Sequence, residues 1–167
     1  MTPLPPPLGT GEIRLWRLDH ERHAATWNSG EGAFLVGGRW NSKGVRAVYA
    51  SLDPATAILE VAVHKGFKVL DTVPHILTSA RIAEPSQVRV VTPEEVPNPN
   101  WLVPVVHGSG QQAFGDALLA QGAFVLVPST VSRHSWNVIF DSAWAAGRFD
   151  DVCQERFALD PRLHVAP

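Results

Sequence analysis

One helix constrains what this chain can fold into more than any other feature of its sequence. Asp53 is a favourable N-cap, Pro54 suits the first helical position, and Gly66 can end the helix formed by the residues between them. From Ala55 to Val63 the only charged residue is Glu60. Because the helix is apolar on three sides, we expect it to be largely buried.

The remaining elements are short. A second helix is predicted for residues 110–122, with Gly122 as its end, and residues 19–36 have an irregular or weakly helical pattern. Strands are predicted at 12–18, 46–51, 75–82, 86–91 and 123–128, with one more within 152–163. Short strands interrupted by two main helices, without regular βαβ alternation, predict a single compact α+β domain. We expect it to span residues 11–167, after a flexible proline-rich arm at residues 1–10.

Composition and charge exclude several classes of protein. The formal net charge is −2, so no overall field favours direct binding of nucleic acid or an anionic membrane. No run of 18 uncharged apolar residues occurs, which predicts no membrane span. The single cysteine, Cys153, and a beginning without signal-peptide features predict a cytoplasmic protein without internal disulfides. The seven histidines show no metal-ligand spacing, so no metal site is expected.

Glu60 is the first candidate for chemistry. A carboxylate on a buried helix is expected to have a polar partner or a functional role, because burying an unpaired charge is costly. Alternatively, Glu60 lies at the helix edge, where it faces water or pairs with a lysine. The helical pattern alone does not decide between these two interpretations.

Three other residues have side chains that could bind a ligand or position another group. The segment GGRWNSKG (37–44) sets Arg39 among glycines, which allow a close approach of the backbone to a ligand, and a guanidinium can bind a phosphate through paired donors. Tyr49 follows in the next strand. Ser129 lacks the surroundings of a nucleophile elbow, so its hydroxyl is expected to position another group. Taken singly, the pattern favours a surface arginine for Arg39 and a half-buried strand aromatic for Tyr49, and a simple turn serine is the alternative for Ser129.

Together, five segments resemble the RES domain, the toxin component of bacterial Xre–RES toxin–antitoxin pairs. They are LWRL (15–18), GGRWNSKGVRAVYAS (37–51), AILEVAVH (57–64), LVPSTVSRHSWN (126–137) and LDPRL (159–163). The resemblance implies the catalytic residues Arg39, Tyr49, Glu60 and Ser129, and, for NAD+ binding, Arg17, Arg39, Trp40, Asn41, Tyr49 and Asn137. The sequence departs from the family after Asn137, where it reads NVIFDS instead of continuing to an NP pair.

The resemblance also implies an ADP-ribosyltransferase-like fold and an enzyme that consumes NAD+ as a substrate, without a metal or another cofactor. The nicotinamide–ribose bond is the expected site of cleavage, and water, phosphate or a protein is the acceptor of ADP-ribose. Glu60 would stabilise the developing positive charge, Arg39 with Arg17 would hold the pyrophosphate, and Tyr49 would line the nicotinamide pocket. The implied partner is an Xre-family antitoxin, in a complex that allows a homodimer. A catalytically inactive partner-binding module is the non-enzymatic alternative.

Overall fold

The computed structural model describes residues 11–103 and 108–163, and the expected proline-rich arm lies outside these ranges. Seven strands form one sheet in the order β4-β5-β6-β2-β1-β3-β7. Only β4 and β5 are parallel neighbours, so the sheet is mixed and the predicted α+β class is confirmed. The strands are β1 Arg14–His20, β2 Ala47–Ser51, β3 His75–Ile82, β4 Val88–Val90, β5 Phe124–Pro128, β6 Trp136–Asp141 and β7 Phe149–Phe157.

Two helices of twelve residues are the main helical elements, as the sequence predicted. The α-helices of the described residues are α1 Glu31–Val36, α2 Pro54–Lys65, α3 Phe67–Thr72 and α4 Ser109–Ala120. The α2 helix begins where Asp53 accepts a hydrogen bond from the Thr56 backbone N–H at 2.8 Å. It ends at Gly66, whose φ of 80° is a conformation that glycine adopts without strain.

Two elements were not predicted. The α3 helix begins directly after Gly66, because the positive φ of that glycine turns the chain but does not prevent a new helix from starting. The β6 strand was missed because Val138, Ile139 and Phe140 are all fully buried, which replaces an alternating pattern by a continuous apolar run. The predicted strand at 86–91 is shorter, with only Val88–Val90 in the sheet.

The side chains of β2 alternate between the two faces of the sheet. Val48 and Ala50 pack into one apolar cluster, and Ala47 and Tyr49 contact a second cluster that includes residues of α4. Ser51 lies on the same face as Tyr49, because alternate residues of a strand share a face. The helices α2 and α3 pack on this face too, through a third cluster around Leu18.

The strands β1 and β2 separate soon after they meet. Their only paired residues are Trp16 and Ser51, whereas β1 pairs with β3 along its whole length. Arg17 spans the gap by donating from Nη1 to the Tyr49 carbonyl oxygen at 2.6 Å. Among the described residues, no helix is long and apolar enough to cross a membrane.

Candidate active site

Glu60 lies half-buried on α2, above the sheet. Two side chains donate to the same carboxylate oxygen, Oε1: the Asn137 amide at 2.6 Å and the Ser129 hydroxyl at 3.0 Å. No residue within 11–103 or 108–163 donates a hydrogen bond to Oε2. The interpretation of Glu60 as a carboxylate with polar partners is therefore the one that the structure supports. Oε1 is therefore the carboxylate oxygen that the described side chains hold.

Ser129 is completely buried at the end of β5. Its oxygen accepts from the backbone N–H groups of Val131 and Ser132, at 3.2 and 3.0 Å, while its hydroxyl proton is directed to Glu60. These contacts fix the rotamer of Ser129. The expectation that this hydroxyl positions another group matches the geometry, and the group is Glu60.

Asn137 connects Glu60 to the sheet. It is the register partner of Ser51 in the pair β2–β6, and its Oδ1 accepts from the Ser51 hydroxyl at 2.8 Å. The NVIFDS departure leaves Asn137 in a regular strand, with its side chain directed to the carboxylate.

Arg39 lies in the loop between α1 and β2. Its Nη1 donates to the Trp101 carbonyl oxygen at 2.9 Å. Burial lowers the pKa of the guanidinium below its ordinary value, and the negative charge of Glu60 acts in the opposite direction. The opposite charges of Arg39 and Glu60 therefore attract each other.

Tyr49 holds the glycine-containing loop in place. Its hydroxyl accepts from the Trp40 backbone N–H at 3.0 Å and donates to Asn41 Oδ1 at 2.7 Å. Burial raises the pKa of the phenol well above its ordinary value, so the hydroxyl stays neutral. Gly38 is required here, since a Cβ at that position would lie 2.5 Å from the Tyr49 hydroxyl oxygen.

The predicted NAD+-binding residues Trp40 and Asn41 have buried side chains, with exposures of 2% and 0%. Trp40 packs in the cluster beneath α4, and the Asn41 amide donates to three carbonyl oxygens of its own loop region. In the described structure both residues shape the loop that carries Arg39. Their contact with NAD+ stays a prediction.

A cavity of about 360 Å³ adjoins Glu60. It opens where β1 and β2 separate, beneath α2, and its lining includes Trp16, Arg17, Tyr49, Glu60, Lys65 and Asn137. This volume lies within the usual range of small-molecule sites. The guanidinium of Arg17 is engaged by both oxygens of Asp19 at 2.8 Å, so it supports the cavity wall.

The structure brings Glu60, Ser129 and Asn137 into direct contact, whereas Arg39 contacts the Trp101 carbonyl oxygen. Sequence reasoning missed Ser51 and the α4 residues that hold the loop. Gln112 donates to the Gly38 carbonyl oxygen at 2.8 Å, and Asp116 accepts from the Ser42 N–H at 3.0 Å. Their spacing of four residues on one helix face was the signal available in the sequence.

In the described part of the chain, no group of three or more His, Cys, Asp or Glu side chains is arranged to hold a metal ion. The Glu60 carboxylate, the Ser129 hydroxyl and the Asn137 amide instead form a hydrogen-bonded polar group, of which Glu60 and Asn137 line an organic-sized cavity. Such a site can stabilise positive charge at Glu60 and negative charge near Arg39.

Comparison with known proteins shows the family to which the chain belongs. A family model, described as RES domain, matches residues 14–160. The Prs ADP-ribosylating toxin of Sphingobium sp. is 33% identical over 160 residues, covering 89% of this chain and 94% of the relative. A protein named Toxin Res from Photorhabdus laumondii is 31% identical over 128 residues, covering 76% and 80%. Another Toxin Res, from Yersinia enterocolitica, is 28% identical and covers 90% and 99%. The chain therefore belongs to the RES domain family of toxins.

Proposed function

We propose that this protein is a toxin that cleaves NAD+ at the nicotinamide–ribose bond and passes the ADP-ribosyl group to water. The observation that carries the proposal is the Glu60 carboxylate, whose Oε1 is held by Ser129 and Asn137 while Oε2 is left for a ligand beside the cavity. A carboxylate held in this way can stabilise positive charge that develops on a ribose ring.

The chemistry needs only one such carboxylate. The bond between ribose C1′ and the nicotinamide nitrogen breaks, and its electron pair leaves with the nicotinamide, which becomes neutral. No general acid has to protonate this leaving group, in contrast to the carboxylate pair of most glycosidases. Water then bonds to C1′ and loses a proton, which gives ADP-ribose.

The other residues have supporting roles in the proposal. Glu60 Oε2 accepts a hydrogen bond from the ribose 2′-hydroxyl and faces the oxocarbenium-like charge. Arg39, with its positive charge close to this carboxylate, meets the pyrophosphate. Tyr49, neutral and part of the cavity wall, lines the nicotinamide side.

A second candidate is transfer of ADP-ribose to a protein. The name of the Sphingobium relative, an ADP-ribosylating toxin, favours it, and the same four residues would serve. Phosphorolysis of NAD+ is a third outcome of the same bond cleavage. The products separate the three: free ADP-ribose, a labelled protein band, or ADP-ribose 1-phosphate.

The test is incubation of the purified protein with NAD+, followed by chromatography of nicotinamide and ADP-ribose. Parallel reactions contain EDTA, phosphate or a cell lysate with labelled NAD+. We expect nicotinamide release that EDTA leaves unchanged and that Glu60→Gln abolishes. The surface variant Glu94→Gln is the matched control and should keep full turnover. Intact NAD+ in the presence of folded protein would overturn the proposal and leave the inactive partner-binding module.

A protein that destroys NAD+ endangers its own cell, so the proposal includes an Xre-family antitoxin that covers the site. The proposed place of action is the cytoplasm, where NAD+ is available. The expected assembly contains the antitoxin and one or two copies of this chain. Expression of the wild-type protein alone should stop growth and lower cellular NAD+, and expression of Glu60→Gln should not. Harmless high-level expression of active wild-type protein would count against the antitoxin requirement.

A further inference from the structure

We propose that Ser51 is a positioning residue for the reaction, which acts by fixing the orientation of the Asn137 amide that holds Glu60. This inference rests on the proposed function, because it assigns Glu60 the central role. Ser51 lies at the end of β2, and its side chain is 2% exposed.

The hydrogen-bond roles follow from the charge on Glu60. An ionised carboxylate can only accept, so the Asn137 group 2.6 Å from Oε1 has to be its NH₂. The Asn137 oxygen then faces Ser51 at 2.8 Å and can only accept, so Ser51 has to donate. The result is a directed chain from the Ser51 hydroxyl through the Asn137 amide to Glu60 Oε1.

The acceptor-only carboxylate of Glu60 sets the orientation of that amide, and the Ser51 hydroxyl holds it there by donating to the Asn137 oxygen. A flipped Asn137 would place its oxygen against the Glu60 carboxylate and its NH₂ against Ser51. The Ser51 hydroxyl stabilises the productive orientation, and the β2–β6 register holds the two residues opposite each other. Alanine at position 51 would leave the Asn137 oxygen without this donor.

Loss of this one neutral hydrogen bond should act on turnover through Glu60. We expect Ser51→Ala to lower kcat about 3- to 10-fold, the effect of a net hydrogen bond, with a much smaller change in KM. Ser79→Ala is the matched control, since Ser79 is a buried strand serine that accepts from Arg14, outside the cavity lining. This control should lower Tm to a similar extent and leave kcat unchanged.

A double-mutant cycle isolates the route through Asn137. If Ser51 acts only by orienting that amide, Ser51→Ala should have no further effect on kcat when it is added to Asn137→Ala. Independent, multiplicative losses in the cycle would overturn the proposal. So would a Ser51→Ala variant with wild-type kcat, provided that Glu60→Gln is inactive in the same assay.

A second measurement does not depend on activity. In ¹H–¹⁵N NMR spectra, the side-chain amide signals of Asn137 are identified by their loss in Asn137→Ala. We expect Ser51→Ala to shift both protons and to reduce the difference between them, and Ser79→Ala to leave them in place. Unchanged Asn137 amide signals in Ser51→Ala would refute the orienting role. If the wild-type protein does not consume NAD+, the proposed function fails, and these spectra still decide whether Ser51 orients Asn137.

Discussion

Glu60→Gln is the most informative single substitution, because it replaces one carboxylate oxygen by an NH₂ group and keeps the other as an oxygen. The glutamine oxygen can replace Oε1 and accept from Ser129 and Asn137, which are 3.0 and 2.6 Å away. The glutamine NH₂ then stands where Oε2 was. The protein contacts survive, and the atom that would accept the ribose hydroxyl becomes a donor without negative charge.

The expected loss is in turnover. Removing one preorganised electrostatic contact typically costs a factor of about 10²–10³ in kcat, or roughly 3–4 kcal/mol. NAD+ binding should change far less, because the charge matters most as the bond breaks. The hydrogen bonds to Glu60 weaken when they become neutral, and the buried charge is relieved. We therefore expect the free energy of unfolding to change by about 1 kcal/mol, a Tm shift of about 2–4 °C.

The assay measures nicotinamide release under saturating NAD+, together with Tm and NAD+ affinity of the same preparation. Ser129→Ala provides a graded comparison, since it removes one donor and keeps the charge. If Glu60→Gln loses stability but turns over NAD+ at a near-normal rate, Glu60 is a structural residue and the catalytic assignment is wrong.

Three further predictions test the surroundings of Glu60. Arg39→Lys should raise KM for NAD+ about 10- to 100-fold in steady-state kinetics, because a single ammonium replaces a bidentate donor and a charge-assisted hydrogen bond is worth about 1.5–3 kcal/mol. An unchanged KM would show that Arg39 does not bind the substrate. Tyr49→Phe should lower Tm by several degrees in thermal denaturation, because it leaves the Trp40 N–H without its acceptor, at a cost of about 1–3 kcal/mol. An unchanged Tm would contradict the role of the hydroxyl in holding the loop. Gly115→Ala should destabilise the protein by about 3 kcal/mol in urea denaturation, because its Cβ would collide with the Trp40 carbonyl oxygen. Gly110→Ala on the same helix is the control, since its Cβ meets nothing within 4 Å. Equal urea midpoints of unfolding for the two variants would refute this packing.

Local chemistry made much of the fold predictable from the sequence. The ends of α2 follow from Asp53 and Gly66, whose capping depends on residues only three or four positions away. The bounds of β3 were predicted without error from its composition. The α3 helix was missed because a glycine that ends one helix also permits another to begin after it.

The candidate site was predictable as a set of residues but not as a geometry. Arg39, Tyr49, Glu60 and Ser129 were recognisable because each lies in a segment with the family's pattern. Their roles differ in ways that no segment reveals. Tyr49 donates to Asn41 and orders a loop, and Arg39 contacts Trp101 from a distant part of the chain.

The sequence by itself determined that a carboxylate would lie on an apolar helix, but not whether it would face water or a polar partner. Only the tertiary structure decided what satisfies it, because Ser129 and Asn137 are 69 and 77 positions away along the chain. The β2–β6 register sets Ser51 opposite Asn137, and strand pairing of this kind depends on packing across the whole sheet. Local propensity fixes which elements form, whereas hydrogen bonds between distant residues fix which oxygen of Glu60 the protein holds.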